Sequence, residues 1–134
     1  MRSETTFDVR YYETDQMGIV HHSNYIRYFE CGRAQLLEDM GVSMPIIEKA
    51  GVMLPVVSVE CKYKIPARLG DKLTVVSYID SVPMAKMCIR SEIFNQDGVL
   101  LCDGAVTLGF IDAQTRRPIR CPEFLAAAIE SRKE

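Results

Sequence analysis

The residues best suited to chemistry lie in one short segment near the amino terminus. Asp15 falls within residues 12–22 (YETDQMGIVHH), which break the alternation of the preceding strand, and a helical pattern begins at Ser23 or Asn24. A carboxylate can act as a general base or as a nucleophile. The N–H groups at a helix start lack partners and stabilise negative charge that develops on oxygen. Together these two parts match the needs of hydrolysis at an activated carbonyl.

Two other features of this region offer different chemistry. His21 and His22 are the only histidines, and they are adjacent. Adjacent positions rarely converge on one metal, and no third ligand is evident, so we predict no metal site. Glu30 is a second candidate carboxylate, in an otherwise apolar stretch of the helix. The simpler interpretation of Glu30 is an ion pair with Arg27 or Arg33 at helical spacing.

The elements that must position these residues follow from hydrophobic periodicity. The pattern predicts helices at 23–40, 43–50 and 122–132, and strands at 5–11, 56–65, 72–82, 86–95 and 99–111. Three consecutive strands joined by short turns must pair antiparallel. The single long apolar helix needs a sheet to cover it. We therefore predict one α+β domain over residues 1–134, with an antiparallel five-stranded sheet wrapped around one long central helix.

Specific positions within these elements carry further expectations. Gly32, on the apolar stripe of the long helix, should let another backbone approach closely, and Gly41 suits the left-handed position that ends the helix. Phe7, Val9 and Tyr11 should share the buried face of the first strand. The last strand should direct five residues inward, namely Leu100, Cys102, Val106, Leu108 and Phe110. A one-layer sheet leaves its edge strand exposed, which favours self-association.

Composition excludes several classes of protein. Of the 134 residues, 16 are Lys or Arg and 18 are Asp or Glu, so the net charge of −2 argues against a nucleic-acid partner. No apolar run approaches the roughly 18 residues of a membrane span, and residues 1–10 do not resemble a signal peptide. The five cysteines form no C-x-x-C pair, which favours free thiols in a reducing compartment. We expect a cytoplasmic protein without a membrane partner.

Residues 12–25 also carry a family resemblance. Tyr12-Glu13-Thr14-Asp15 and then Gly18-Ile19-Val20-His21-His22-Ser23-Asn24-Tyr25 resemble the loop-to-helix signature of hotdog-fold thioesterases of the 4-hydroxybenzoyl-CoA thioesterase type. Two further segments, residues 63–71 and 117–122, resemble the turn after the family's second strand and its closing segment. The likeness extends over essentially the whole chain, and it implies the hotdog fold.

The resemblance assigns roles to the residues of the first segment. It places the catalytic carboxylate on Asp15 and the N–H that polarises the thioester carbonyl on the backbone of His22. Thioester hydrolysis needs little assistance from a general acid, because the thiol of the leaving group has a pKa of about 8.5 and can leave as a thiolate. The remaining members of the segment would contact substrate or hold the helix start in place: Gly18, Ile19, Val20, Asn24 and Tyr25. Glu30 stays the rival acid, since it lies eight positions after His22, where other hotdog thioesterases carry theirs.

The resemblance also implies a ligand and an assembly. The substrate would be an acyl-CoA, with coenzyme A present only as part of the substrate and no separate cofactor. Candidate contacts for its phosphates are Arg68, Arg116 and Arg117, because Arg and Lys bind phosphate. The family builds its active site between two chains, so we expect a homodimer or a tetramer formed from two dimers.

Two other functions remain open at this point. A hotdog dehydratase or hydratase would pair His21 or His22 with Glu30 and act on hydroxyacyl thioesters without releasing thiol. A non-catalytic protein would bind acyl thioesters in the same pocket. The sequence also leaves open the acyl chain length or aromatic preference, coenzyme A against acyl carrier protein, and general base against nucleophile.

Overall fold

A computed structural model describes residues 1–132 of the chain. Helices and strands are largely separated along the chain, with one long helix and one short helix between the first strand and the main run of strands. In chain order they are β1 (Arg2–Asp8), α1 (Ser23–Asp39), α2 (Met44–Lys49), β2 (Val52–Met53), β3 (Val56–Tyr63), β4 (Lys72–Tyr78), β5 (Lys86–Phe94), β6 (Leu100–Gly109), β7 (Ile111–Asp112) and α3 (Glu123–Ser131).

The main sheet has five antiparallel strands in the order β1-β4-β5-β6-β3. It wraps around α1, whose buried side chains Tyr28, Phe29, Leu36 and Leu37 fill the concave face. This arrangement confirms the predicted α+β architecture. It places β1 and β3 at the two edges of the sheet.

Some predicted boundaries and faces were wrong. β1 begins at Arg2 and ends at Asp8, because the chain then leaves the sheet and forms a 3-10 turn at Tyr11–Glu13. Tyr11 is consequently exposed instead of buried. In β6, Leu101 and Cys102 are both fully buried while Leu100 is only half-buried. The pairing with β5 shifts register here, because Ile93 faces Cys102 and Phe94 faces Leu100, which leaves Leu101 of β6 without a partner and breaks the simple alternation. The pairing of β2 with β7 was not predicted, because two-residue strands carry no periodicity.

Gly32 leaves room for side chains of β4 against α1, so the expected close approach of another backbone was wrong. A Cβ at this position would lie 2.7 Å from Cγ1 of Val75 and would also collide with Ser77. At the end of the helix, Gly41 adopts a φ of 75°, which confirms the prediction of a left-handed terminator.

The Gly32 contact predicts a loss of stability on enlargement. Gly32→Val should lower the free energy of unfolding by about 2–3 kcal/mol, because overpacking against β4 exceeds any gain in helix propensity. Urea unfolding of this variant against Cys31→Ala, an exposed neighbour on the same helix, measures the effect. An unchanged or higher midpoint for Gly32→Val would contradict the packing described here.

Candidate active site

The loop between β1 and α1 is a tight hairpin that carries Asp15 near its tip. Thr14 and Val20 form an isolated bridge, and the Asp15 N–H donates to the Ile19 carbonyl at 2.8 Å. The Gly18 N–H closes the turn on the Asp15 carbonyl at 3.1 Å. Gly18 has a φ of 74°, a conformation that favours glycine. The hairpin therefore fixes Asp15 relative to the residues that follow it.

The Asp15 carboxylate is half-buried and held by backbone donors on one oxygen. Its Oδ1 accepts from the N–H of Met17 at 2.8 Å and from the N–H of Ile19 at 3.4 Å. Among residues 1–132, nothing donates a hydrogen bond to Oδ2. One oxygen thus orients the group, and the other is available to take a proton or attack a carbon.

The start of α1 presents an unoccupied donor at His22. The N–H of His21 donates to the Glu13 carbonyl at 2.9 Å, and the N–H of Asn24 donates to the His21 carbonyl at 3.0 Å. The N–H of Ser23 is taken by Nδ1 of His21 at 3.3 Å. Within residues 1–132 the His22 N–H has no acceptor. It lies where the helix dipole favours negative charge on a ligand oxygen.

A mainly apolar cavity of about 260 Å³ opens beside this donor. It lies between the hairpin, the start of α1 and the segment that follows β3. Its lining residues are Ile19, Val20, His22, Tyr25, Tyr63, Lys64, Ile65 and Pro66. Asp15 does not line the cavity, but its neighbour Ile19 does. The Asp15 N–H donates to the Ile19 carbonyl, and the Ile19 N–H donates to the Asp15 carboxylate. The arrangement suits an apolar acyl group whose carbonyl lies near His22.

Two tyrosines fix the walls of this cavity. The Tyr25 hydroxyl is buried and accepts from the N–H of Ala67 at 3.0 Å, and burial raises the pKa of Tyr25. The Tyr63 ring packs edge-on against Tyr25 with centroids 5.2 Å apart. The Tyr63 hydroxyl donates to the His22 carbonyl at 3.3 Å. The sequence did not single out Tyr63 as a site residue, because its position in a strand gives no sign that it reaches the helix start.

Asn24 anchors the helix and does not line the cavity. Its Nδ2 donates to the Glu13 carbonyl at 3.0 Å and to the His21 carbonyl at 3.3 Å. The spacing favoured Ser23 or Asn24 as the capping residue, but the N-cap is His22 and its side chain makes no capping hydrogen bond. Asn24 instead holds the helix start through these two contacts with the preceding turn. Glu13, which the sequence analysis did not consider, is buried under this turn.

Glu30 is not brought to the cavity. Its side chain is exposed on α1 and pairs with Arg33 at 3.5 Å. This is the ion pair that helical spacing offered as the simpler interpretation. The rings of His21 and His22 stack on each other with centroids 4.2 Å apart, and neither contacts Glu30.

The three arginines do not gather into one cluster within a single chain. Arg68 lies beside the hairpin, where it forms an isolated bridge with Ile19. Arg116 and Arg117 belong to the turn after β7, at the other end of the sheet edge, and Arg116 reaches Met53 of β2. Arg116 is the one non-glycine among residues 1–132 with a positive φ, at 63°. Only Arg68 is therefore near the cavity of its own chain.

The hairpin, the helix start and the wrapped sheet recur in known proteins. The sequence profile of the Thioesterase-like superfamily matches residues 9–129. The chain belongs to this superfamily. The match covers the hairpin, α1, the whole run from α2 to β7 and most of α3, so it confirms the resemblance and the hotdog fold.

Individual relatives agree with this thioesterase assignment. The chain is 36% identical over 118 residues to the putative acyl-CoA thioesterase YneP of Bacillus subtilis (strain 168), covering 88% of this chain and 86% of YneP. The DHNA-CoA thioesterase of Staphylococcus aureus superimposes with a TM-score of 0.83 at 33% identity, covering 89% and 80% of the two chains. The hypothetical protein TT1821 of Thermus thermophilus gives 0.89 at 34%, covering 96% and 98%. The expectation of a thioester hydrolase is confirmed.

No helix within residues 1–132 has the length and apolar character needed to cross a membrane.

Proposed function

We propose that this thioesterase hydrolyses acyl-CoA thioesters to the free acid and coenzyme A at the cavity beside α1. The observation that carries the proposal is the unoccupied N–H of His22, a residue that lines a mainly apolar cavity next to the hairpin of Asp15. The similarity to YneP and to a DHNA-CoA thioesterase supports coenzyme A as the thiol portion.

The reaction follows from this geometry. The thioester carbonyl oxygen accepts the His22 N–H, which stabilises the oxyanion as the carbonyl carbon is attacked. Asp15 either takes a proton from the attacking water or attacks the carbon itself. The carbon–sulfur bond then breaks, and the thiolate leaves without a general acid. With Asp15 as general base, this step gives the free acid directly. With Asp15 as nucleophile, it leaves a mixed anhydride on Asp15, which water hydrolyses to release the free acid and restore the carboxylate. No cofactor or metal enters these steps.

We propose that a second copy of the chain completes the site. The inner, odd-numbered side chains of β3 extend past the cover of α1, so that Val57, Val59 and Tyr63 remain 52%, 41% and 52% exposed. Two β3 edges related by a two-fold axis would pair antiparallel. That pairing sets the Tyr63 end of one strand beside the Val56 end of the other.

Such a pairing also accounts for the separated arginines. The turn carrying Arg116 and Arg117 lies near the Val56 end of its own β3, because β2 and β7 flank that end. In the dimer it would approach the partner's cavity from the opposite side to Arg68. We propose that these three guanidinium groups contact the coenzyme A phosphates from both chains. A further association of two dimers into a tetramer uses other surfaces.

The arginine proposal predicts a change in substrate affinity. Arg68→Ala should raise KM for an acyl-CoA about two- to fivefold with little change in kcat, as expected for an exposed ion pair. Steady-state kinetics at low salt measures the effect, with Arg90→Ala on the outer face of β5 as the matched control. Equal KM values for the two variants would contradict a phosphate contact at Arg68.

Thiol release tests the function itself. A disulfide dye monitors coenzyme A liberated from short aliphatic, long aliphatic and aromatic acyl-CoAs, after titration of the five cysteines as a blank. We expect release from at least one class, and the best substrate defines the acyl preference. Double-bond formation in a hydroxyacyl thioester without thiol release would favour the dehydratase alternative. Tight binding without turnover of any acyl-CoA would favour the binding protein.

We further propose a cytoplasmic location. All five cysteines are free thiols, namely Cys31, Cys61, Cys88, Cys102 and Cys121. Burial raises the pKa of Cys121 to about 11, so this thiol stays protonated and unreactive at neutral pH. Free cysteines of this kind are usual in a reducing compartment.

A further inference from the structure

Glu13 is a buried carboxylate with a complete set of partners. It is 6% exposed. Its Oε1 accepts from the N–H of Arg10 at 2.8 Å and from the hydroxyl of Tyr28 at 3.0 Å. Its Oε2 lies 3.4 Å from the guanidinium of Arg10. These partners offset the cost of removing the charge from water, and they fix the side chain between the 3-10 turn and α1.

The backbone of the same residue holds the turn before α1. The Glu13 carbonyl accepts the N–H of His21 at 2.9 Å and the Nδ2 of Asn24 at 3.0 Å. His22 lies between these two anchored residues, and its own N–H has no acceptor within residues 1–132. The side chain of Glu13 is therefore fixed by Arg10 and Tyr28, and its carbonyl holds the turn that contains the His22 N–H.

Simple core filling does not account for this arrangement. A buried carboxylate gains little net stability over an apolar residue of similar size. Tyr28 is affected in turn, since burial and the Glu13 hydrogen bond raise its pKa. The hydrogen-bonded carboxylate fixes the position of the Glu13 backbone carbonyl. That carbonyl in turn fixes the turn from His21 to Asn24.

We infer that Glu13 is a positioning residue, which sets the direction of the His22 N–H toward the thioester carbonyl oxygen. The inference rests on the proposed function. Donors act in catalysis only when they point at the place where charge develops, and displacement of about 1 Å can cost about a hundredfold in rate. Glu13 acts through the turn and does not touch substrate.

Kinetics separates this role from a general effect on folding. Glu13→Ala should lower kcat about ten- to hundredfold while KM stays within about twofold, because the oxyanion contact is made mainly in the transition state. The pH dependence of kcat should keep its shape, because Asp15 is untouched. Glu4→Ala, which removes an exposed acid paired with Arg2, should leave kcat unchanged. Glu13→Gln keeps the size of the side chain and should give a smaller loss in the same direction.

A double-mutant cycle identifies the route of the effect. Asn24→Ala removes the other contact of the Glu13 carbonyl. If both residues act on one turn, the double variant should lose less activity than the product of the two single losses. Fully multiplicative losses would overturn the inference, and so would wild-type kcat in Glu13→Ala.

Amide hydrogen exchange tests the structural half of the inference without any substrate. In Glu13→Ala the His21 N–H should exchange faster while amides in the middle of α1, such as that of Leu36, keep wild-type rates. Faster exchange throughout the chain, or no change at His21, would overturn the positioning role. If the wild-type protein released no thiol from any acyl-CoA, the proposed function would fail, and exchange at His21 would still decide what Glu13 holds.

Discussion

Asp15→Asn lowers the rate of thiol release by about a hundredfold or more, the loss expected when a general base or nucleophile is removed. The fold should be unaffected, because asparagine still offers an Oδ1 acceptor to the N–H groups of Met17 and Ile19. The loss should fall on kcat rather than on KM, since Asp15 acts on the reacting atoms. Steady-state thiol release and a thermal unfolding curve together measure the effect.

Asp112→Asn is the matched control for this experiment. Asp112 closes an exposed turn in the same way as Asp15, with its Oδ1 accepting the N–H groups of Gln114 and Thr115 at 2.9 Å each. These backbone hydrogen bonds lower the pKa of Asp112, and the Asp112 carboxylate takes no part in the proposed chemical steps. Asparagine keeps the acceptor that closes the turn of Arg116 and Arg117, so the variant should keep kcat within about twofold. Similar rates of thiol release for the two variants would show that the Asp15 side chain only stabilises the turn and takes no part in catalysis.

Val59→Lys should convert the protein to monomers and reduce thiol release at least tenfold. Val59 lies in the middle of β3, 41% exposed on the inner face that α1 does not cover. In the proposed dimer, pairing of two β3 edges would bury this position beside its symmetry mate, where two lysines would repel each other and lose their hydration. Activity should fall with loss of the proposed dimer, because the cavity at the end of β3 would lose the wall that a second chain would provide. Analytical ultracentrifugation and thiol release on one sample measure both effects.

The control for that variant is Val99→Lys, on the hairpin between β5 and β6. Val99 is 38% exposed and belongs to the turn closed by Asn95 and Gly98, beyond the end of the β3–β6 pairing at Tyr63 and Cys102. It should leave assembly and activity unchanged. A Val59→Lys protein that sediments like the wild type, or that is monomeric and fully active, would contradict a site shared between two chains.

The sequence was most informative where periodicity is long. The central helix, its glycine terminator and the three-strand meander followed from apolar spacing and turn residues. What failed was local. The early end of β1 depends on a 3-10 turn, the doubled burial of Leu101 and Cys102 depends on a bulge, and the β2–β7 pair depends on contacts between segments about 60 residues apart. None of these leaves a repeating pattern in the sequence.

For the site, the sequence predicted the reactive groups better than the residues that hold them in position. The acid, the glycine turn and the helix start lie within eleven residues, so their proximity follows from the chain itself. Tyr63 reaches His22 across 41 positions, and only the fold reveals that contact. Glu13 could have been suspected from the spacing Arg10-x-x-Glu13, which matches the acidic half of a capping box. Arginine lacks the hydroxyl of the other half, so the signal was weak.

The most direct test of the proposed mechanism is the structure of Asp15→Asn bound to the acyl-CoA that the wild-type protein hydrolyses best. The variant should hold its substrate intact for the length of the experiment. The thioester carbonyl oxygen should lie about 2.7–3.1 Å from the His22 nitrogen, with the carbonyl carbon facing residue 15 and the acyl group against Ile19 and Val20. A carbonyl oxygen directed away from His22, or an acyl group outside this cavity, would contradict the mechanism.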